Sequence, residues 1–208
     1  MIVRYEDSEV GPYDELILIP GRAVNPHTGK AEMRISTIYV STDASVWNGR
    51  RNWNIPKQRA VFDFQPVGTG KSGLALKVYH SPDSPAPLNP KVPFFTVLLK
   101  ESSLPKLPLP RLAPLAIVQP PLLKSRWPPG VQDAAIGTDD PENGRKNPWL
   151  LIKPSFKGTW GLSYPGKLED GEETLQWHGD GVGFPKVKFW SAGAALEGVI
   201  GFGASTVV

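Results

Sequence analysis

A chain of 208 residues with a formal net charge of +3 can bury a sizeable core in one domain, and it carries no basic tract of the kind that tracks nucleic acid. It has no cysteine, which removes disulfides and thiolate chemistry and agrees with a reducing compartment. No apolar run approaches the ~20 residues of a membrane span and no signal-peptide pattern opens the chain. A soluble, cytoplasmic protein without nucleic-acid or membrane partners is expected.

Met1 to Tyr5 opens in a weak strand-like alternation. Tyr13 to Pro20 reads as a buried strand, because Leu16, Ile17, Leu18 and Ile19 run without interruption. Glu15 at its start is open to two readings, a solvated strand-end residue or a carboxylate set in a pocket. The turn formers between Gly21 and Lys30 predict a hairpin to a second strand, Ala31 to Ser41. There Met33, Ile35, Ile38 and Val40 stand against Arg34, Ser36 and Thr37, and a slip in phase between Ile35 and Ile38 permits a bulge.

Ser41-Thr42-Asp43 is an N-cap signal that predicts a short helix to about Arg51. Gly49 falls near its end and Pro56 forbids its continuation. Lys57 then emerges where the helix gives way to a strand over Arg59 to Phe64. Two tryptophans and two arginines precede this lysine, and Ala60-Val61-Phe62 follows it. A lysine amine is a nucleophile only when unprotonated, a rare state at its reference pKa of ~10.4. Apolar burial or a nearby cation frees the amine, and both ingredients lie within a few residues. The plainer alternative is a surface lysine in a turn.

Val67 to Gly73 has the look of a phosphate loop, but the pattern needs a glycine where Gln65 stands, and a strand (Leu74 to Tyr79) follows instead of a helix. A hairpin turn is the expectation. Residues 81–130 hold more than half of the prolines, around one apolar strand, Phe94 to Leu99. The proline–leucine alternation from Leu104 to Pro121 favours extended polyproline segments. Its apolar character suggests an ordered arm packed on the domain or on a neighbouring subunit, ahead of an SH3-type ligand, and leaves room for a homo-oligomer.

Val131 to Asn147 is a polar connection whose carboxylates miss the calcium-loop spacing. Trp149 to Ile152, Gly158 to Tyr164, Thr174 to His178 and Val187 to Trp190 are four further strand candidates. His27, His80 and His178 lack metal-ligand spacing, so no metal is expected. The tail from Ser191 to Val208 is small and apolar, and the sequence assigns it no role. Short strands, hairpin turns and scarcely any helical pattern predict a mainly β fold, an antiparallel β-barrel or strongly curved sheet with one or two short helices. Residues 1–208 are read as a single domain with a proline-rich arm at about 81–130.

Gly49-Arg50 followed by Pro56-Lys57 resembles the Gly-Arg…Pro-Lys segment of the acetoacetate decarboxylase family. Gly11-Pro12-Tyr13-Asp14-Glu15 resembles that family's Gly-x-Tyr-x-Glu segment. The resemblance implies a barrel-like sheet, no cofactor, and a small keto acid as substrate. It implies Lys57 as the Schiff-base nucleophile and Glu15 as the pocket carboxylate, with Arg50, Arg51, Tyr13 and Ile55 as substrate-binding candidates. Decarboxylation of a small, acetoacetate-like β-keto acid is the activity implied. Imine-based aldol or dehydration chemistry on a keto acid, and a non-catalytic barrel for a small ligand, are the alternatives. Three departures stand out, the first being Arg51, which stands where the family's motif commonly has an acidic residue. Gln58 occupies the place of a second lysine, so a neighbouring cation must come from Arg50 or Arg51, or burial must suffice. Residues that family members carry ahead of this point have no counterpart here, and a truncated or alternatively started form is expected.

Overall fold

The computed structural model describes residues 1–25, 28–68, 73–84, 89–109, 115–122, 148–168 and 177–208. The chain begins with β1 (Ile2–Tyr5), β2 (Tyr13–Leu18), β3 (Arg22–Val24), β4 (Ala31–Met33) and β5 (Thr37–Val40). Helix α1 (Asp43–Trp53) leads into the long strand β6 (Lys57–Pro66). Then come β7 (Leu74–His80), β8 (Pro93–Glu101), β9 (Leu107–Pro108) and β10 (Ile117–Gln119). The rest is β11 (Leu150–Ile152), β12 (Ser155–Gly166), β13 (Gly193–Gly201) and β14 (Thr206–Val207).

These elements fall into two compact units, the first of Met1–Arg59, Leu112–Ser155 and Ile200–Val208, the second of Ala60–Arg111 and Phe156–Val199. In the first unit β1, β2, β5 and the start of β6 form one sheet, and β14, β11, β10, β4 and β3 form another. Most neighbours are antiparallel, but β5 runs parallel to β6 and β4 parallel to β10. A parallel pair needs a crossover, and α1 supplies it between β5 and β6. Ile17, Ile38 and Val40 from one sheet meet Ile117 and Ile152 from the other, with Val46 of α1, Ile35 and Ile55 completing the cluster. Each such side chain contributes roughly 1.5–3 kcal/mol by leaving water.

In the second unit the remainder of β6 pairs antiparallel with β7, from Ala60↔His80 to Pro66↔Leu74, and β7 with β8. β12 continues the sheet against β8, carries β9, and is flanked by β13. Its core holds Leu76, Val78, Phe94, Phe95, Val97 and Phe184. The Asp180 carboxylate accepts bonds from the backbone N–H groups of Val182, Gly183 and Phe184 and so fixes the turn that delivers Phe184.

The mainly β expectation holds, with one helix among the described residues. A closed antiparallel barrel does not: the sheets are mixed and, among those residues, open. The expected strand from Ala31 to Ser41 is two strands in different sheets. The phase slip is a break, at which Ser36 turns its N–H and Oγ back to the Leu18 carbonyl (3.0 and 3.2 Å) and Ile35 drops into the core. Val187–Trp190 is not a strand, since Phe189 stacks on the His178 ring while Trp190 stays in water. The proline–leucine segment contributes β9 and β10; residues 110–114 and 123–147, the tip of the 67–73 turn, and all but the last two residues of the expected Thr174–His178 strand lie outside the described residues. The apolar tail provides β13 and β14.

Candidate active site

The site belongs to the first unit and follows from its register. In β2 the residues Tyr13, Glu15 and Ile17 share one face, because a strand repeats every two residues. Glu15 lies opposite Val40 of β5, and Lys57 of β6 lies opposite Ile38. Lys57 and Glu15 therefore point to the same side of the sheet with one strand between them. Two strand spacings amount to roughly 10 Å between backbones, a gap that the two long side chains close. Tyr5 of β1 is the register partner of Tyr13 and completes the row.

Helix α1 covers that row. Thr42 caps it, its Oγ1 accepting the Ser45 N–H, and Asn54 ends it in the left-handed conformation at φ 52°. The Ile55 N–H then returns to the Gly49 carbonyl at 3.1 Å. Ser45 and Gly49, four residues apart, form the stripe of the helix that meets the lysine. Gly49 is required by that contact: a Cβ there would stand 2.5 Å from Lys57 Cδ and 2.6 Å from Cε. Arg50 fixes the backbone of the same residue, its Nε donating to the Lys57 carbonyl at 2.6 Å.

Lys57 is 5 % exposed and Glu15 2 %. The Lys57 ammonium donates to Glu15 Oε1 at 2.5 Å and to Ser45 Oγ at 2.9 Å. The Tyr13 ring centroid lies 5.0 Å from Nζ, within cation–π range. Tyr5 stacks on Tyr13 at 4.6 Å and offers its hydroxyl to Glu15 Oε2 at 3.5 Å. Burial, and after it the Glu15 carboxylate, push both phenols well above the ordinary tyrosine value. Tyr5 and Tyr13 are thus neutral hydroxyl groups beside an acid and an amine. Burial also lowers the Arg50 guanidinium to about 10.

Of the six residues singled out in the sequence, the structure gathers Lys57, Glu15, Tyr13 and Arg50. Ile55 is in the hydrophobic cluster, and Arg51 lies on the exposed side of α1 with its guanidinium 4.6 Å over the Trp47 ring. Gln58 is exposed.

No protein-family model matches the sequence, and no curated protein does. Among solved structures, the crystal structure of acetoacetate decarboxylase from Legionella pneumophila matches with a TM-score of 0.55, covering 100% of this chain and 71% of that one at 12% identity. The chain has the acetoacetate decarboxylase fold. The enduracididine biosynthesis enzyme MppR, complexed with pyruvate, matches at a TM-score of 0.45 over 94% of this chain and 64% of that one, at 13% identity.

Two residues at the centre of this site on the acetoacetate decarboxylase fold escaped sequence reasoning. Ser45 read only as part of a helix start, though its spacing of four from Gly49 was a usable signal. Tyr5 gave none, since only the β1–β2 register sets it beside Tyr13. Among the described residues no cluster of three or more histidine, aspartate or glutamate side chains could hold a metal ion.

Proposed function

We propose that the protein is a lyase that forms a Schiff base between Lys57 and a small β-keto acid and releases carbon dioxide from it. The observation that carries this is the buried Lys57–Glu15 ion pair, held at 2.5 Å under a helix whose Gly49 leaves room for the lysine stem. An ion pair is a poor way to stabilise an interior: apolar replacements are often neutral or more stable by about 1–4 kcal/mol. Its retention here is accounted for by chemistry. The acetoacetate decarboxylase fold supports the same reading, and that enzyme is itself the standing example of lysine activation by its surroundings.

Glu15 takes a proton from the Lys57 ammonium, and the freed amine attacks the ketone carbon. The carbinolamine loses water to give a protonated imine. The bond to the carboxylate carbon then breaks, carbon dioxide leaves, and the electron pair moves into the iminium to form an enamine. Protonation at carbon, from Glu15 or through the neutral Tyr5 and Tyr13 hydroxyls around it, and hydrolysis of the imine return ketone and free amine. Ser45 holds Nζ on the attack side throughout.

Incubation with acetoacetate, reduction with borohydride and peptide mass mapping test the proposal. A reduced adduct on Lys57, with carbon dioxide released in unreduced samples, is the expected result. An adduct without carbon dioxide points to aldol or dehydration chemistry on the same imine. A protein that takes no adduct at Lys57 is not an imine enzyme.

A further inference from the structure

Gln119 on β10 is a fully buried polar side chain that the imine chemistry leaves unused. Its exposure is 0 %, and among the described residues neither Nε2 nor Oε1 has a hydrogen-bond partner. A primary amide carries two donors and two acceptor lone pairs. Leaving them unmatched in a dry interior is a standing cost to the folded chain, and an apolar side chain of that length would avoid it.

The register tells which way the amide faces. Residues two apart on a strand share a side, so Gln119 looks to the side of Ile117. Ile117 packs in the cluster with Ile38, Val40 and Ile55. Ile38 is the register partner of Lys57 and Val40 that of Glu15, so the ion pair projects into the same layer. Within that layer Gln119 lies toward the end of α1. It is opposite Leu150, two residues from Pro148, whose carbonyl accepts the Asn54 side chain at 2.8 Å, and Asn54 is three residues ahead of Lys57. Amide and amine enter one interior layer from two facing sheets.

We infer that Gln119 binds the carboxylate of the keto acid that Lys57 engages, its Nε2 donating to a carboxylate oxygen. The identity of the ligand rests on the imine reading of Lys57; the orphaned amide does not. A neutral amide suits the task, because it orients the carboxylate without the strong charge pairing that would oppose its departure as carbon dioxide.

Gln119→Met, apolar and of similar length, tests this. Two quantities are read: the concentration of acetoacetate, and separately of acetone, that half-labels Lys57 under borohydride, and the melting temperature without ligand. The variant is expected to melt no lower than the wild type. It should need about tenfold more acetoacetate, the loss of one hydrogen bond to a charged group, and the same amount of acetone. Equal acetoacetate requirements in the two proteins overturn the inference. So does a lower melting temperature with both ketones weakened alike, the mark of a structural glutamine. If neither ketone labels Lys57 in the wild type, the imine reading fails by itself. Gln119 is then judged by the rise in melting temperature with acetoacetate: present in the wild type and lost in Gln119→Met supports it, absent from or equal in both overturns it. Should Gln119→Met not fold, Gln119→Glu adds a like charge and must weaken acetoacetate far more than acetone.

Discussion

Gly49→Ala isolates the packing of the lysine from its chemistry. The added methyl would lie 2.5 Å from Lys57 Cδ and 2.6 Å from Cε, with Cγ at 3.1 Å. Carbon atoms settle at about 3.5–4.0 Å, so the stem must retreat by roughly 1 Å. It has little freedom to do so, being buried on all sides with its tip tied to Glu15 and Ser45. Two effects on stability oppose each other: alanine in a helix gains about 1 kcal/mol over glycine, and overpacking costs about 1–3 kcal/mol. The net is a loss of about 0–2 kcal/mol, within reach of a urea titration and too small to unfold the protein. Reactivity has no such offset. A reacting group misplaced by 1 Å loses on the order of 100-fold in rate. Borohydride trapping followed by mass spectrometry should show that drop in adduct formation at a nearly unchanged urea midpoint. Wild-type labelling kinetics in a folded Gly49→Ala protein would refute the claim that helix α1 positions the amine.

Lys57→Met should abolish the adduct and, by leaving the Glu15 carboxylate buried without its partner, cost about 3–5 kcal/mol in urea. Ser45→Ala gains up to about 0.7 kcal/mol of helix propensity but removes the 2.9 Å bond to Nζ, worth about 1.5–3 kcal/mol; a net loss of about 1–3 kcal/mol should be read by the same titration. Thr42→Ala removes the cap of α1 and should cost about 1 kcal/mol, with labelling of Lys57 retained. Tyr5 and Tyr13 ionise later in the folded chain than in the unfolded one, whose phenols titrate near ~10. Their contribution is therefore complete below that pH and is lost as pH rises above it, because the unfolded state alone sheds the protons. Absorbance at 295 nm should show phenols that stay protonated past pH ~10 and that are missing from Tyr5→Phe and Tyr13→Phe, and the double substitution should flatten the alkaline fall in stability.

How legible this was differs from residue to residue. The helix between Thr42 and Pro56 and the lysine behind it could be read because cap, glycine and proline act locally. The Gly-x-Tyr-x-Glu segment added Tyr13 and Glu15, which the structure places around that lysine. Arg50 was found but its present contact was not: a guanidinium bonded to the Lys57 carbonyl cannot be told from a substrate anchor without coordinates. Long-range pairing defeated the rest. Ala31 to Ser41 alternates as one strand would, yet its halves join different sheets, and only the partners available on each side decide that. Gln119 falls in the proline–leucine segment, where nothing singled it out, and its burial leaves no mark on the neighbouring sequence.

The crossover from β5 through α1 to β6 makes the interval between Thr42 and Lys57 intolerant of any change in length. One residue inserted between Ser45 and Gly49 swings everything after it by about 100°, carrying the two out of alignment with each other. One inserted between Asn54 and Lys57 slips β6 by a step and sends the amine to the opposite surface of its sheet. The antiparallel turns of the chain face no such arithmetic: the loop from Val67 to Gly73 can be lengthened with the flanking register intact. An insertion scan should thus find a silent zone and a forbidden one, and the forbidden one should mark the stretch that sets the Lys57 amine beside Glu15 and Ser45.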